Sequence, residues 1–350
     1  MTVATEVRIR KIDPGEEAAA GRFFASRYPL ELREAAFRKR GERWKWQYWS
    51  HPEGKPGILV AELGSKIVGM IGTNAVRIRT PGGVIPAIWA GDLLIDPAVR
   101  GAGIGKKLVD AWKSGEAVAV GKGYGPIAYS LYVNRGFKGI WGFTQMHIVL
   151  SRTRLAARLL RRSERRNLLR LARVFARPSG RLHLGGDPSV SDTLPAGAAA
   201  LWRSAAAGYR FAFERDEKYL AWRFGAHPFH TYYFVEARGA AGLSGLAIVR
   251  ITDDRIPIGV IADLIADPRD GKTVLALARD ALSFLESRGA AAALVELPPA
   301  LAPIVSAAFP CSFGEDFSIV LHAADPELAA QGMFDAASWY LSRSDSDADY

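Results

Sequence analysis

The stretch "IDPAVRGAGIGKKLVDAW", residues 95–112, places an arginine and three glycines between a strand-like run and a helix-like run. The first backbone amides of a helix have no internal partner and point out of its N-terminus. With the helix dipole they form a site suited to phosphate oxygens. Glycine at 103 and 105 lets that backbone approach a diphosphate closely, and Arg100, Lys106 and Lys107 add positive charge. The dinucleotide pattern G-x-G-x-x-G is excluded, because position 108 is Leu108. A P-loop is excluded too, since no glycine stands at the required spacing before Gly105–Lys106 and no Ser or Thr follows the lysine.

Around this loop the chain alternates. Helices are expected at about 14–25, 30–48 and 103–114, with a short one over 127–134. Strands are expected at "GILVAEL", "KIVGMIGTNAVRI", "PAIWAGDLLID" and "AVAV", with "WGFTQMHIVL" closing the unit, and Gly82–Gly83 suits a hairpin turn.

Downstream, "LYVNRGF" sets Tyr132, Gly136 and Phe137 in Y-x-x-x-G-F spacing. Taken with Ile95, Pro97, Arg100, Gly101, Gly103, Ile104 and Gly105, this order resembles the GNAT superfamily of N-acetyltransferases, most closely over residues 55–150. The resemblance implies a mixed α/β (α+β) fold with a mostly antiparallel twisted sheet. It further implies acetyl-CoA, or another acyl-CoA, as co-substrate and an amine, on a small molecule or a peptide, as acceptor. The diphosphate loop would comprise Arg100, Gly101, Ala102, Gly103, Ile104, Gly105 and Lys106. On the preceding strand, the N–H of Leu94 or Ile95 would stabilise the oxyanion. Tyr132 would protonate the departing thiolate, against the alternative of a core tyrosine. Asp92 stands on the correct strand for the base that deprotonates the amine, with Asp96 a weaker candidate in the adjoining turn. "GYGPIAYSLY" lacks the asparagine that relatives often carry before the tyrosine, a departure that touches cofactor hydrogen bonding.

A second stretch, "IADPRDGKTVLALARDAL" at 265–282, begins like the first and discards the glycines. "WQYWSHP" has a counterpart in "WRFGAHP" 176 positions later; "GDLLIDP" and "HIVL" have counterparts in "ADLIADP" and "SIVL", each 171 later. A near-constant offset across three blocks reads as a tandem duplication. Opposite Arg100, Gly103 and Gly105 the later copy has Gly271, Val274 and Ala276, or Asp270, Thr273 and Leu275 one residue out of step. Ile304 faces Tyr132. The later copy is therefore expected to have lost both cradle and acid. Asp263 pairs with Asp92, which keeps a structural role for Asp92 open beside the catalytic one.

The chain of 350 residues has room for two cores. The expected organisation is 1–150, an acyltransferase domain; 151–195, an arginine-rich helical linker; 196–325, a degenerate copy; and 326–350, a helix and acidic tail ending in a frayed "SRSDSDADY". No apolar run approaches the roughly 18 residues of a membrane span. The N-terminal residues lack the apolar core of a secretory signal, and Cys311 stands alone, so the expected compartment is the cytoplasm. Metal binding has no support, because the six histidines are scattered with no pair at i, i+4 on a helix. His51 and His227, each in His-Pro at the end of an aromatic-rich helix, read as helix-terminating contacts.

The net charge of +10 is local: eleven arginines and one acid, Glu164, lie between Arg152 and Arg181. This basic segment reads as a solvated helical linker, with a membrane surface or an acidic partner as alternatives. Nucleic acid is disfavoured, since Phe175 is the only aromatic residue there. Two other functions compete with the acyl-CoA transferase: a Fem-type aminoacyl-tRNA-dependent transferase, and a non-catalytic acyl-CoA-binding sensor or scaffold.

Overall fold

Pro81, Gly82 and Gly83 interrupt two runs of β-formers and fold them into a hairpin of β3 (Lys66–Thr80) and β4 (Gly83–Ile95). Gly83 takes φ +126°, and the Thr80 hydroxyl both donates to the Gly83 carbonyl at 2.9 Å and accepts from the Gly82 N–H. This hairpin is the centre of the first sheet. The computed structural model describes residues 6–13, 15–26, 42–54, 57–161, 188–240, 242–314 and 317–345. Most of the helix expected over 30–48 and most of the arginine-rich segment lie outside the described residues.

The chain forms two compact units, Met1–Ile140 with Ser318–Phe334, and Trp141–Phe317 with Asp335–Tyr350. In the first, β1 (Val7–Lys11), β2 (Leu59–Leu63), β3 and β4 pair antiparallel in that order. β4 pairs parallel with β5 (Val118–Lys122), and β5 pairs antiparallel with β14 (Phe317–Ala323). α1 (Glu17–Ala25), α2 (Ile104–Lys113) and α3 (Pro126–Val133) flank the sheet.

β6 (Lys138–Val149) does not close this unit, contrary to the sequence expectation. It pairs with β12 (Ala292–Leu297) and β13 (Cys311–Phe313) of the second unit, while β14, from late in the chain, pairs with β5. The two closing strands carry the matched "HIVL" and "SIVL" sequences, so their apolar patterns suit either sheet. Pairing, not composition, separates them.

In the second unit β7 (Ser189–Ser191), β9 (Tyr232–Gly239), β10 (Gly242–Ile251) and β11 (Gly259–Ala266) pair antiparallel, and β11 runs parallel to β12. Short β8 (Phe211–Phe213) pairs with β15 (Trp339–Tyr340). Helices α4 (Arg152–Arg161), α5 (Ala198–Ala206), α6 (Glu217–Leu220), α7 (Gly271–Ser287) and α8 (Ala302–Ala308) complete it, and α9 (Pro326–Ala330) belongs to the first unit. Each sheet is thus mixed and mostly antiparallel, as the family resemblance implies. None of the described helices is long and apolar enough to cross a membrane.

The tail expected to fray is instead buried up to Asp345. The fully buried Arg215 guanidinium bonds Asp263 at 2.8 Å and Asp345 at 2.6 Å, and Ser342 N–H donates to the same Asp345 oxygen. A buried guanidinium needs anionic partners to offset its lost hydration, and the sequence supplies one of them from this late segment.

Candidate active site

β4 and β5 are hydrogen-bonded only over Ile88–Ala90 and Ala119–Gly121, although β4 continues to Ile95. Beyond Ala90 that pairing stops, and among the described residues no other strand pairs with this edge of β4, which is open in that sense. On its other edge the pairing with β3 slips: Leu94 faces Met70 and Gly91 faces Gly72, so Asp92 and Leu93 together oppose Ile71. This is a β-bulge, a device that re-aims peptide groups next to functional sites. Asp92 sits at φ +50°, the only non-glycine residue of positive φ among the described residues.

Peptide directions follow from one bond. Asp96 N–H donates to Val68 O at 2.8 Å, and N–H directions alternate along a strand. Leu94 therefore directs its N–H at β3 and Ile95 directs its own toward the open edge, while Leu93 lies within the bulge, where peptide groups are re-aimed. Sequence reasoning proposed Leu94 or Ile95 as donors and passed over Leu93. Asp96 is a turn-former: its Oδ1 accepts the Ala98 N–H at 3.1 Å, and Lys66 Nζ lies 3.5 Å from its Oδ2.

The chain then turns through Arg100–Lys106. Gly101 and Gly103 have φ +89° and +76°, and a Cβ on either would meet nothing within 4 Å. Gly103 caps α2, whose first internal bond runs from Lys107 N–H to Gly103 O, so the amides of Gly103, Ile104, Gly105 and Lys106 precede any helical acceptor. Arg100, Ala102 and Lys106 are exposed and Ile104 is buried. Gly105 has a different role from Gly103: a Cβ there would sit 3.2 Å from Leu131, so it lets α3 seat against the first turn of α2. Arg135 pairs with both carboxylate oxygens of Asp110, and Lys113 Nζ reaches Arg135 O at 3.1 Å, which ties the residues after α3 to α2.

Tyr132, next to Leu131 on α3, is 6% exposed. Its ring meets Trp112 edge-on at 5.4 Å, Tyr124 at 5.9 Å and Phe137 at 5.8 Å. Tyr124, just past the end of β5, shares a 2.7 Å hydrogen bond with Ser318, and burial pushes its phenol up to about 12. It therefore keeps its proton near neutrality.

Asp92 is held by residues that sequence reasoning passed over. Trp44 Nε1 donates to its Oδ2 at 3.2 Å, Tyr48 OH donates to the same oxygen at 3.1 Å, and Arg43 Nη2 lies 4.0 Å away. Trp44 and Tyr48 stand four residues apart on a turn that widens to π geometry over Lys45–Trp49. A Cβ on Gly72 would collide with the Tyr48 ring and hydroxyl, so this glycine makes room for the contact. The aromatic density of "RWKWQYW" was a visible signal; its partner was not.

The second unit repeats some of this and alters the rest. A π turn recurs at Ala221–Gly225, 176 positions after Lys45–Trp49. His51 and His227 follow these turns, each accepting local backbone N–H groups: Glu53 at 3.3 Å for the first, Phe229 at 3.2 Å and His230 at 3.1 Å for the second. Both histidines thus make local contacts just past a helix end, where the sequence expects helix-terminating ones. The parallel pairing of β11 with β12 covers Gly259–Ile261, 171 positions after that of β4 with β5, and β11 bulges at Ala262, beside Asp263. Asp263, however, is fully buried among Arg215, Tyr340 and Ser344. The N-terminus of α7 is occupied by Asp270, whose carboxylate accepts both the N–H and the hydroxyl of Thr273.

Comparison with known proteins agrees with this fold. Residues 54–139 match the family model described as "Acetyltransferase (GNAT) domain". Among solved structures, a probable N-acyltransferase from Enterococcus faecalis superposes with TM-score 0.60 at 12% identity, covering 92% of this chain and 73% of that one. A GCN5-related N-acetyltransferase from Anabaena variabilis gives 0.62 at 11% identity, covering 92% and 74%. The N-myristoyltransferase of Saccharomyces cerevisiae with bound myristoyl-CoA gives 0.54 at 12%, covering 92% and 83%. At such identities these structures report the fold alone. None of the curated proteins matches the sequence. Residues 54–139, which hold the bulged strand, the glycine corner and Tyr132, thus match the acetyltransferase domain of the GNAT superfamily.

Proposed function

We propose that the first unit is an N-acyltransferase that moves an acyl group, most simply acetyl, from acyl-CoA to an amine in a ternary complex. The observation that carries this reading is the open edge of β4, which runs directly into the vacant, positive-φ corner at Gly101 and Gly103. A thioester chain lying along that edge would meet N–H groups of Leu93 and Ile95, and its diphosphate would meet the amides of Gly103–Lys106. Arg100 and Lys106 add charge there without narrowing the corner.

Chemically, the amine nitrogen bonds to the thioester carbonyl carbon while an N–H of β4 receives the developing oxyanion. As the C–S bond breaks, the Tyr132 hydroxyl gives its proton to the leaving thiolate, and the amine proton passes to solvent. Tyr132 is near the corner because α3 seats on α2 through Gly105. Asp92 borders the open edge, but its carboxylate is engaged by Trp44 and Tyr48, which favours a positioning role over that of base. The second unit is a diverged copy whose cradle is filled by Asp270 and whose aspartate is sealed in the core.

The direct test is thiol release from acetyl-CoA in the presence of an amine panel, with calorimetry of CoA alone. Amine-dependent release supports the reading. Tight CoA binding with no release for any amine would leave a sensor or scaffold instead, and a requirement for aminoacyl-tRNA would move the protein to the Fem-type class.

A further inference from the structure

The conformation of Asp92 is costly. Positive φ at a residue with a Cβ is sparsely populated, and such strain persists only where surrounding contacts over-determine it. Here those contacts are explicit: Trp44 Nε1 at 3.2 Å, Tyr48 OH at 3.1 Å and Arg43 Nη2 at 4.0 Å, all on one carboxylate oxygen. Arg43 is itself oriented by Gln47, its Nε donating to Oε1 at 3.0 Å. Gly72, opposite Gly91 at the edge of the bulge, is the residue that admits the Tyr48 ring. The counterpart Asp263 is also held by several partners, yet it does not take positive φ. Strain is thus found at the bulge that adjoins a glycine corner and not at the one that has lost it.

We propose that Tyr48 and Trp44 are positioning residues: by holding Asp92 they lock the β4 bulge in the conformation that aims the Leu93 N–H at the acyl carbonyl. The proposal rests on the acyl-CoA reading above and adds residues that lie outside the glycine loop and the tyrosine helix. Asp92 contributes its side chain as an anchor and its peptide as a hinge; it moves no proton. Its carboxylate is needed only because an L-residue must be held at this φ. A glycine there would reach the same φ without an anchor.

That difference separates anchor from base. A base at position 92 is lost equally in Asp92→Ala and Asp92→Gly. An anchor is lost in Asp92→Ala but largely bypassed in Asp92→Gly. The readout is the infrared carbonyl stretch of acetyl-CoA labelled with carbon-13 at the carbonyl, bound to the full chain, because a hydrogen bond to that oxygen lowers its frequency whether or not an acceptor is known. The expected result is a lowered stretch in the wild type, most of it lost in Tyr48→Phe and Asp92→Ala, and most of it kept in Asp92→Gly. CoA affinity, measured by calorimetry, should stay within about twofold throughout, since the diphosphate corner is untouched. Tyr48→Phe keeps the ring that packs at Gly72; should it fail to fold, the Ala and Gly pair at 92 still decides the matter. An unchanged stretch in Asp92→Ala, or equal loss in the Ala and Gly variants, overturns the proposal, as does a wild-type complex with no carbonyl shift. If the wild type binds neither CoA nor acetyl-CoA, the acyl-CoA reading itself has failed.

Discussion

Asp270 accepts the backbone N–H of Thr273 at 3.1 Å, so the N-terminus of α7 is closed by a carboxylate from the protein itself. At the start of α2 the capping residue is Gly103, which brings no side chain and leaves its surroundings open. On the proposed reading one helix start takes an outside anion, whereas the other is already satisfied. Gly103→Val should weaken acetyl-CoA binding at least tenfold, about 1.4 kcal/mol. A β-branched residue resists φ +76° and projects into the corner. Gly271→Val should leave that affinity unchanged. Calorimetric titration of both variants is the check, and equal losses would remove the site from the first unit.

For Tyr132, the phenylalanine variant keeps the ring contacts with Trp112, Tyr124 and Phe137 and removes only the hydroxyl. CoA affinity and Tm should therefore change little, while kcat falls by roughly 10² to 10⁴-fold. Tyr124 is a poor substitute, because burial raises its phenol to about 12. The measurement is kcat against pH with thermal melts alongside. Retained kcat with a lowered Tm would make Tyr132 a packing residue only.

Burial of His51 makes stability depend on pH. Its imidazole falls from the ordinary 6.5 to about 4 in the folded protein, because desolvation penalises the charged ring. Between those values the unfolded chain binds the extra proton and the folded one does not, so stability drops as pH falls from 6.5 towards 4. The full effect is about 3 kcal/mol. In His51→Asn, whose side-chain oxygen is the replacement acceptor for Glu53 N–H, denaturant midpoints at pH 7 and pH 4.5 should converge relative to the wild type. An identical pH slope in the two proteins would mean that His51 is protonated in the fold.

Arg215 forms ion pairs with two buried carboxylates and stacks on Trp202 and Tyr340 at 4.5 and 4.8 Å. Asp345→Ala removes one carboxylate and leaves the guanidinium short of a partner in the core. A loss of about 3–5 kcal/mol is expected for breaking a buried pair this way. Urea denaturation measures it. A loss below about 0.5 kcal/mol, the ordinary surface value, would show that the 342–345 segment is not integral to the fold.

The glycine corner was legible in the sequence because its determinants are local. Gly101, Gly103 and Gly105 are contiguous with the strand and helix they join, and positive φ or close packing at each is a property of the residue itself. The same holds for the β3–β4 hairpin and for the two His-Pro turns. The recurrence between the two halves was legible too, since the motifs that build a π turn or an aspartate-bearing strand are short and recur whole.

Other features depend on which segments meet, and a linear pattern does not encode that. Tyr48 and Asp92 lie 44 residues apart, and only the absent side chain of Gly72 lets them touch. β6 and β14 carry nearly interchangeable apolar patterns, so either could close either sheet; strand pairing decided in favour of exchange. Asp345 sits in a polar, serine-rich tail that reads as frayed until Arg215, 130 residues earlier, is found buried and in need of charge. Periodicity and turn chemistry, being local, were set by the sequence alone. The partners of buried polar groups were decided by the tertiary structure, because the cost of an unpaired charge or a displaced ring arises only once the chain has packed.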